Sequence, residues 1–129
     1  MYNINLASAK TIALYKSMNL PGQIGIILNL TPAYPRSDSE EDLNASHFAD
    51  DFFNRSFLDP AVKGKFPETL VKVLEKDNVL WDSTEEEMEI IYHNTVDFLG
   101  VNYYHPKRVK AQEHPEKYIN PWNPDKYFE

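Results

Sequence analysis

Residues 3–18 repeat at helical spacing. Ile4, Ala7, Thr11, Leu14 and Met18 form the predicted inner stripe, and Ile12 and Tyr15 widen it. Pro21-Gly22 ends the helix. The next segment, Ile24 to Leu30, is apolar almost throughout and ends on a polar group, Asn29. A strand with no polar face must be covered on both sides, as in a parallel sheet of an α/β fold. Thr31 to Pro35 reads as a stiff loop, because each proline fixes φ and biases its predecessor toward extended geometry. Ser37 with Glu40, or Ser39 with Asp42, has helix-capping spacing, and the acids suit a helix N-terminus. Ala45, Phe48, Ala49, Phe52 and Phe53 then form a buried stripe, after which Phe57-Leu58-Asp59-Pro60 is read as a turn. A short helix begins at Pro67 with Leu70, Val73 and Leu74 inward. Another starts at Ser83 or Thr84, with Met88, Ile91, Tyr92 and Thr95 as its inner face. Val96 to Tyr104 is the second buried strand, apolar through Phe98, Leu99 and Val101 and then polar at Asn102 and Tyr104. Residues 105–129 hold four prolines and no clean period, and are read as one long loop.

Two buried strands joined by helices predict one parallel βαβ unit. Two strands do not make an independent parallel sheet. The expected fold is therefore α/β: two parallel strands with flanking helices. The helix that begins almost at Met1, with no capping segment before it, and the open Lys126–Glu129 end are read as the cut ends of an internal segment. In a parallel barrel the chemistry sits at the C-terminal ends of the strands. Asn29, Asn102 and Tyr104 stand at those ends.

Composition narrows the function further. The 129 residues are 42% hydrophobic, which suits a globular domain. A net charge of −7 disfavours nucleic acid as a partner, and Lys107, Arg108 and Lys110 are too few to form a phosphate-binding patch. There is no cysteine, so disulfides, thiolate metal sites and cysteine nucleophiles are excluded. No signal-peptide pattern and no apolar run of about 18 residues occurs, so no membrane partner is expected and the cytoplasm is the expected location.

The carboxylates gather at helix starts and on polar faces. Glu85-Glu86-Glu87 suits a helix N-terminus, Asp50-Asp51 a helix surface, and Asp97 a helix-to-strand connection. His47, His93, His105 and His114 show no zinc spacing, and no G-x-S-x-G, P-loop or G-x-G-x-x-G is present. No metal site is expected. Tyr34, Tyr103, Tyr104, Trp81 and Trp122 could stack on a sugar or simply pack.

Several segments together resemble glycoside hydrolase family 1, the retaining β-glycosidases. The run Val96 to Tyr104 is similar to the family's D-F-L-G-x-N-Y-Y strand. Gly22 to Asn29 is similar to its G-x-I-G-I-x-x-N strand, with Tyr34-Pro35 following. Ala49 to Pro60 is similar to its A-D-x-F-x-N-x-x-F-L-D-P segment, and Gly64-Lys65-Phe66-Pro67 to its G-x-Y-P. The flavour of Leu30 to Ser37 resembles the bacterial 6-phospho-β-glucosidase branch. The resemblance implies an incomplete (β/α)8 TIM barrel, a segment running from the fourth helix through the sixth strand and its loop. It implies a small β-glycoside as partner, a phosphorylated disaccharide in that branch, and no cofactor. The family's acid/base T-x-N-E-P and nucleophile E-N-G strings are absent, so no catalytic carboxylate is assigned here. Retention needs two carboxyls about 5–5.5 Å apart, and this segment alone is expected to be inactive. By position, Asn102 and Tyr104 match groups of the parent site, Tyr104 as a hydrogen-bond donor to the nucleophile. Asn29 matches a group toward the leaving-group side. The competing expectation is a small non-catalytic α/β binding module. Exposed strand edges also predict self-association.

Overall fold

The computed structural model describes residues 1–129. Helix α1 spans Tyr2–Ser17, strand β1 Gly25–Leu30 and strand β2 Ala33–Pro35. Helix α2, Glu40–Asp50, runs through a π-helical turn at Asp51–Arg55 into α3, Ser56–Lys63. Then come α4 (Glu68–Lys76), α5 (Glu85–His93), β3 (Phe98–Tyr103), β4 (Lys107–Val109), and 3-10 turns at Pro115–Tyr118 and Pro124–Lys126.

β1 and β3 pair in parallel, from Gly25 opposite Phe98 to Leu30 opposite Tyr103. Asp97 locks that register: its carboxylate accepts from the Ile24 N–H at 2.9 Å, and its own N–H donates to the Ile24 carbonyl at 2.8 Å. Asp97 thus ties the starts of the two strands together instead of serving the Glu-rich helix. The Phe98 ring lies across Gly25, where a Cβ would come within 2.5 Å of it, so a larger residue there would have to push this half-exposed ring aside. α3 packs on β1. By register Val101 and Tyr103 share the face of Leu28 and Leu30, yet both remain more than half exposed.

The helix starts follow the capping pattern. The Ser39 hydroxyl accepts from the Asp42 N–H at 3.2 Å. Thr84 and Glu87 form a full capping box on α5, which decides between Ser83 and Thr84. α3 replaces the expected turn at Phe57–Pro60. Pro60 cannot donate to the Ser56 carbonyl four residues back, a defect that should break a helix. The Asn5 side-chain amide donates to that carbonyl at 2.9 Å, so the gap is filled from α1. Gly64 then caps α3 at φ 71°, in the left-handed region, and its Cα lies so close to the Tyr92 backbone that a Cβ would clash at 2.5 Å.

α1 turns a different face inward than its periodicity predicts. Tyr2, Leu6, Ala9 and Ile12 are buried, whereas Ile4, Leu14 and Met18 are exposed. Both faces are apolar, and α5 and α3 select between them. Tyr2 stacks on Trp81 with centroids 5.4 Å apart, in a cluster with Leu6, Ala9, Phe66 and Ile91. On α5 itself, Ile91 is buried as expected but Tyr92 is exposed.

A second cluster joins Ala45, Phe48, Ala49, Leu70 and Leu74 to Val109 and Phe128. The segment expected as one long loop therefore supplies core. β4 pairs in parallel with β2 across the stiff loop, Pro35 opposite Val109. The Lys110 and Glu129 backbones exchange hydrogen bonds at 2.9 and 3.0 Å. One carboxylate at the end of α4 fastens the rest: Asp77 accepts from Trp122 Nε1 at 2.8 Å, Lys126 Nζ at 2.7 Å and the Tyr127 hydroxyl at 2.9 Å.

Candidate functional site

The C-terminal ends of β1 and β3 lie side by side, and the register sets Asn29 directly opposite Asn102. Asn102 Nδ2 donates to Asn29 Oδ1 at 3.0 Å. Both side chains are exposed on the face that carries Ile27 and Phe98, away from the packed helices. Tyr104 lies one residue beyond β3 and is 68% exposed. The two asparagines expected from sequence thus meet, and Tyr104 stands beside them along the chain.

The loop that follows β1 is held by a residue that was noticed only as part of a motif. Asn54, in the π-helical turn, donates through Nδ2 to the Thr31 carbonyl at 2.9 Å and accepts at Oδ1 from the Thr31 N–H at 3.0 Å. Its amide also donates to Asp50 Oδ1 at 2.6 Å. Asn54 is buried, so this exchange fixes the chain two residues beyond Asn29. The wider turn of a π-helix aims Asn54 at the strand end, a use to which π-bulges are often put. Its appearance in the A-D-x-F-x-N run was the available signal.

The same turn disposes of the carboxylates. Arg55 bridges Asp51 and Asp59 at 2.9 Å each, and Lys63 adds a 3.0 Å contact to Asp59. Thr69 donates to Asp51. Asp51 is buried, a correction to its reading as helix surface: the π-turn rotates it inward, where Arg55 compensates its charge. The carboxylate of Asp59, accepting from the guanidinium, outweighs burial and holds the Arg55 pKa above its ordinary value. These are structural ion pairs with no free carboxyl left for proton transfer. No group of three His, Asp or Glu side chains is placed to hold a metal.

Beyond the strand ends lies a cavity of about 450 Å³ whose lining includes Thr31, Ala33, Phe53, Lys107, Arg108 and Phe128. Lys107 Nζ sits 5.0 Å above the Phe53 ring. Further from the strand ends, burial and a 2.7 Å hydrogen bond to Glu87 push the Tyr2 hydroxyl up to about 12, so it stays protonated and donates to that carboxylate at neutral pH.

Two parallel strands, helices on one side and polar groups at their C-terminal ends make this one sector of a (β/α) barrel that does not close within the chain. The profile described as Glycosyl hydrolase family 1 matches residues 1–127, and the chain belongs to that family. It is 52% identical over 128 residues to the 6-phospho-beta-glucosidase GmuD of Bacillus subtilis, covering 99% of this chain and 28% of that protein. To a 6-phospho-beta-galactosidase of Clostridium acetobutylicum it is 36% identical, over 88% of this chain and 25% of the other. A crystal structure of a beta-glucosidase from Exiguobacterium marinum superposes with a TM-score of 0.75 at 34% identity, covering 87% of this chain and 26% of that one. The family 1 beta-glucosidase of Thermotoga maritima gives 0.73 at 30% identity, over 87% and 24%. The chain therefore spans about a quarter of the length of the relatives it matches.

Proposed function

We propose that this chain forms part of a retaining β-glycosidase acting on 6-phospho-β-glucosides, in which β1 and β3 are the fifth and sixth barrel strands. The observation that carries the reading is 52% identity across nearly the whole chain to a 6-phospho-beta-glucosidase, in a chain whose paired strands both end on asparagine. The two carboxyls of a retaining site come from other parts of the barrel. Asn102 and Tyr104 support the glycone side of the site, with the Tyr104 hydroxyl donating to the nucleophile and keeping it ionised. Asn29 faces the leaving group. The substrate is a phosphorylated β-linked disaccharide. Its charge keeps it from crossing a bilayer unaided, which fits action in the cytoplasm.

The test is a chimera in which these residues replace the matching segment of GmuD. The expected result is turnover of a nitrophenyl 6-phospho-β-glucoside well above that of the unphosphorylated glucoside, with the unassisted chain inactive on both. A folded chimera that turns over neither refutes the reading. Preference for the unphosphorylated sugar refutes the phosphate requirement. Ile27, Val101 and Tyr103 are exposed on or beside free strand edges, so the isolated chain self-associates. A monomer mass by light scattering across a hundredfold concentration range would refute that.

A further inference from the structure

Resting on that reading, we infer that Asn29 and Asn102 act as one unit with a fixed amide orientation, in which Asn29 is the positioning residue for Asn102. The bond between them runs from Asn102 Nδ2 to Asn29 Oδ1. An amide has one acceptor oxygen and two N–H donors. The Asn29 oxygen is committed to its neighbour, so Asn29 turns donors toward the open face. Asn102 keeps its oxygen and one N–H free there. The pair offers a mixed edge, donors from one strand and an acceptor with a donor from the next, and such an edge suits adjacent sugar hydroxyls.

Three features hold the two side chains opposite each other, within reach of this bond. The two residues are register partners, so neither slides relative to the other. Asp97 fixes that register at the opposite end of the strands. The Asn54 exchange with Thr31 immobilises the chain just past Asn29. Asn29 and Asn102 are both exposed, so the edge of the pair faces open space instead of packed side chains.

The orientation makes two isosteric substitutions unequal. Asn29→Asp keeps an oxygen where Asn102 donates, so the pair survives. With the Asn29 amide fixed as inferred, Asn102→Asp sets a carboxylate against the Asn29 oxygen, acceptor against acceptor, and the pair breaks until the new carboxyl takes up a proton and donates again. Both variants add the same charge at neighbouring positions, so charge alone does not separate them.

In the chimera, Asn102→Asp should lose at least tenfold in kcat/KM at neutral pH and recover relative to wild type as pH falls toward the carboxyl range. Asn29→Asp should lose less, mostly through KM, and show no acid recovery. Acid recovery in Asn29→Asp but not in Asn102→Asp overturns the assigned orientation. The same profile in both overturns the coupling. An inactive wild-type chimera fails at the earlier step and takes this inference with it. Independently of activity, in the 15N-labelled chain one side-chain amide proton of Asn102 should exchange with solvent more slowly than either of those of Asn29. Equal exchange counts against the pair.

Discussion

Asp77 is the residue whose loss the C-terminal segment should tolerate least. Its carboxylate is 6% exposed and accepts from Trp122, Lys126 and Tyr127, which lie 45 to 50 positions further along the chain. A hydrogen bond to a charged acceptor contributes about 1.5–3 kcal/mol. Adding three such bonds would overstate the effect, because the donors share one acceptor and Lys126 rehydrates when released. Removing one partner of a buried ion pair costs about 3–5 kcal/mol, and that is the expected loss for Asp77→Ala. Asp77→Asn keeps the shape and one acceptor oxygen, and should cost about half as much. Against a total stability of about 5–15 kcal/mol for a domain, Asp77→Ala should free residues 112–129 from α4 before the remainder unfolds. Urea titration followed by tryptophan fluorescence reads Trp122, and a Trp122→Phe background isolates Trp81 in the other cluster. Limited trypsin digestion at Lys117 and Lys126 reads the release directly. The pH dependence has a definite sign. Burial pushes the carboxyl up, but the donors from Lys126, Trp122 and Tyr127 outweigh it and hold the pKa below its ordinary 3.8. A depressed folded pKa means the stabilisation is complete above the ordinary value and is lost as pH falls through the folded one. Protection of the segment should therefore be flat from neutral pH down to about 4 and weaken below it, and Asp77→Ala should abolish that acid limb. Unchanged trypsin protection in Asp77→Ala would mean that Val109 and Phe128 alone hold the segment, and the reasoning would fail.

Asn5→Ala should cost about 1–3 kcal/mol by leaving the Ser56 carbonyl unpaired, and Pro60→Ala should recover much of it by restoring an N–H, with a double-mutant cycle under urea as the measurement. Gly64→Ala should cost more than 2 kcal/mol in the same titration, since a Cβ there meets the Tyr92 backbone and strains a left-handed φ. In the chimera, Tyr104→Phe should lose roughly ten- to hundredfold in kcat with little change in KM, from about 1.5–3 kcal/mol for one hydrogen bond to a charged group. The acidic limb of its pH–rate profile should move to higher pH, and wild-type kinetics with an unshifted limb would remove Tyr104 from the site.

The strands and helix starts were legible because their causes are local. A continuous apolar run marks a strand wherever it occurs, although the expected cover on both faces is absent here, where Ile27 and Phe98 stay exposed; Ser39 and Thr84 cap with residues three positions away. The sequence placed Asn29 and Asn102 at strand ends, but their pairing is a matter of register and came only from the structure. What escaped depends on partners distant in sequence. Pro60 is a helix breaker by its own chemistry, and the donor that pairs the carbonyl it leaves open is Asn5, about fifty residues earlier. Val109 and Phe128 enter the core singly, from a strand of three residues and a turn, so they leave no period to detect. Asp51 looked like surface because a π-turn, not an α-turn, carries it inward.

The misread face of α1 is the most instructive of these. A helix that is apolar on more than one side has more than one neighbour to satisfy. Tyr2, Leu6, Ala9 and Ile12 meet α5 and its surroundings within this chain, while Ile4, Leu14 and Met18 point outward at 56–64% exposure. The stripe read from periodicity was thus a genuine apolar stripe without a partner here. The same holds for Val101 and Tyr103 on β3, apolar or aromatic side chains on a strand face that carries cover only over β1. Both surplus surfaces are the kind that neighbouring βα units of a barrel bury. They agree with a chain that matches only a quarter of its relatives' length, and they place the proposed missing contacts beside α1 and β3.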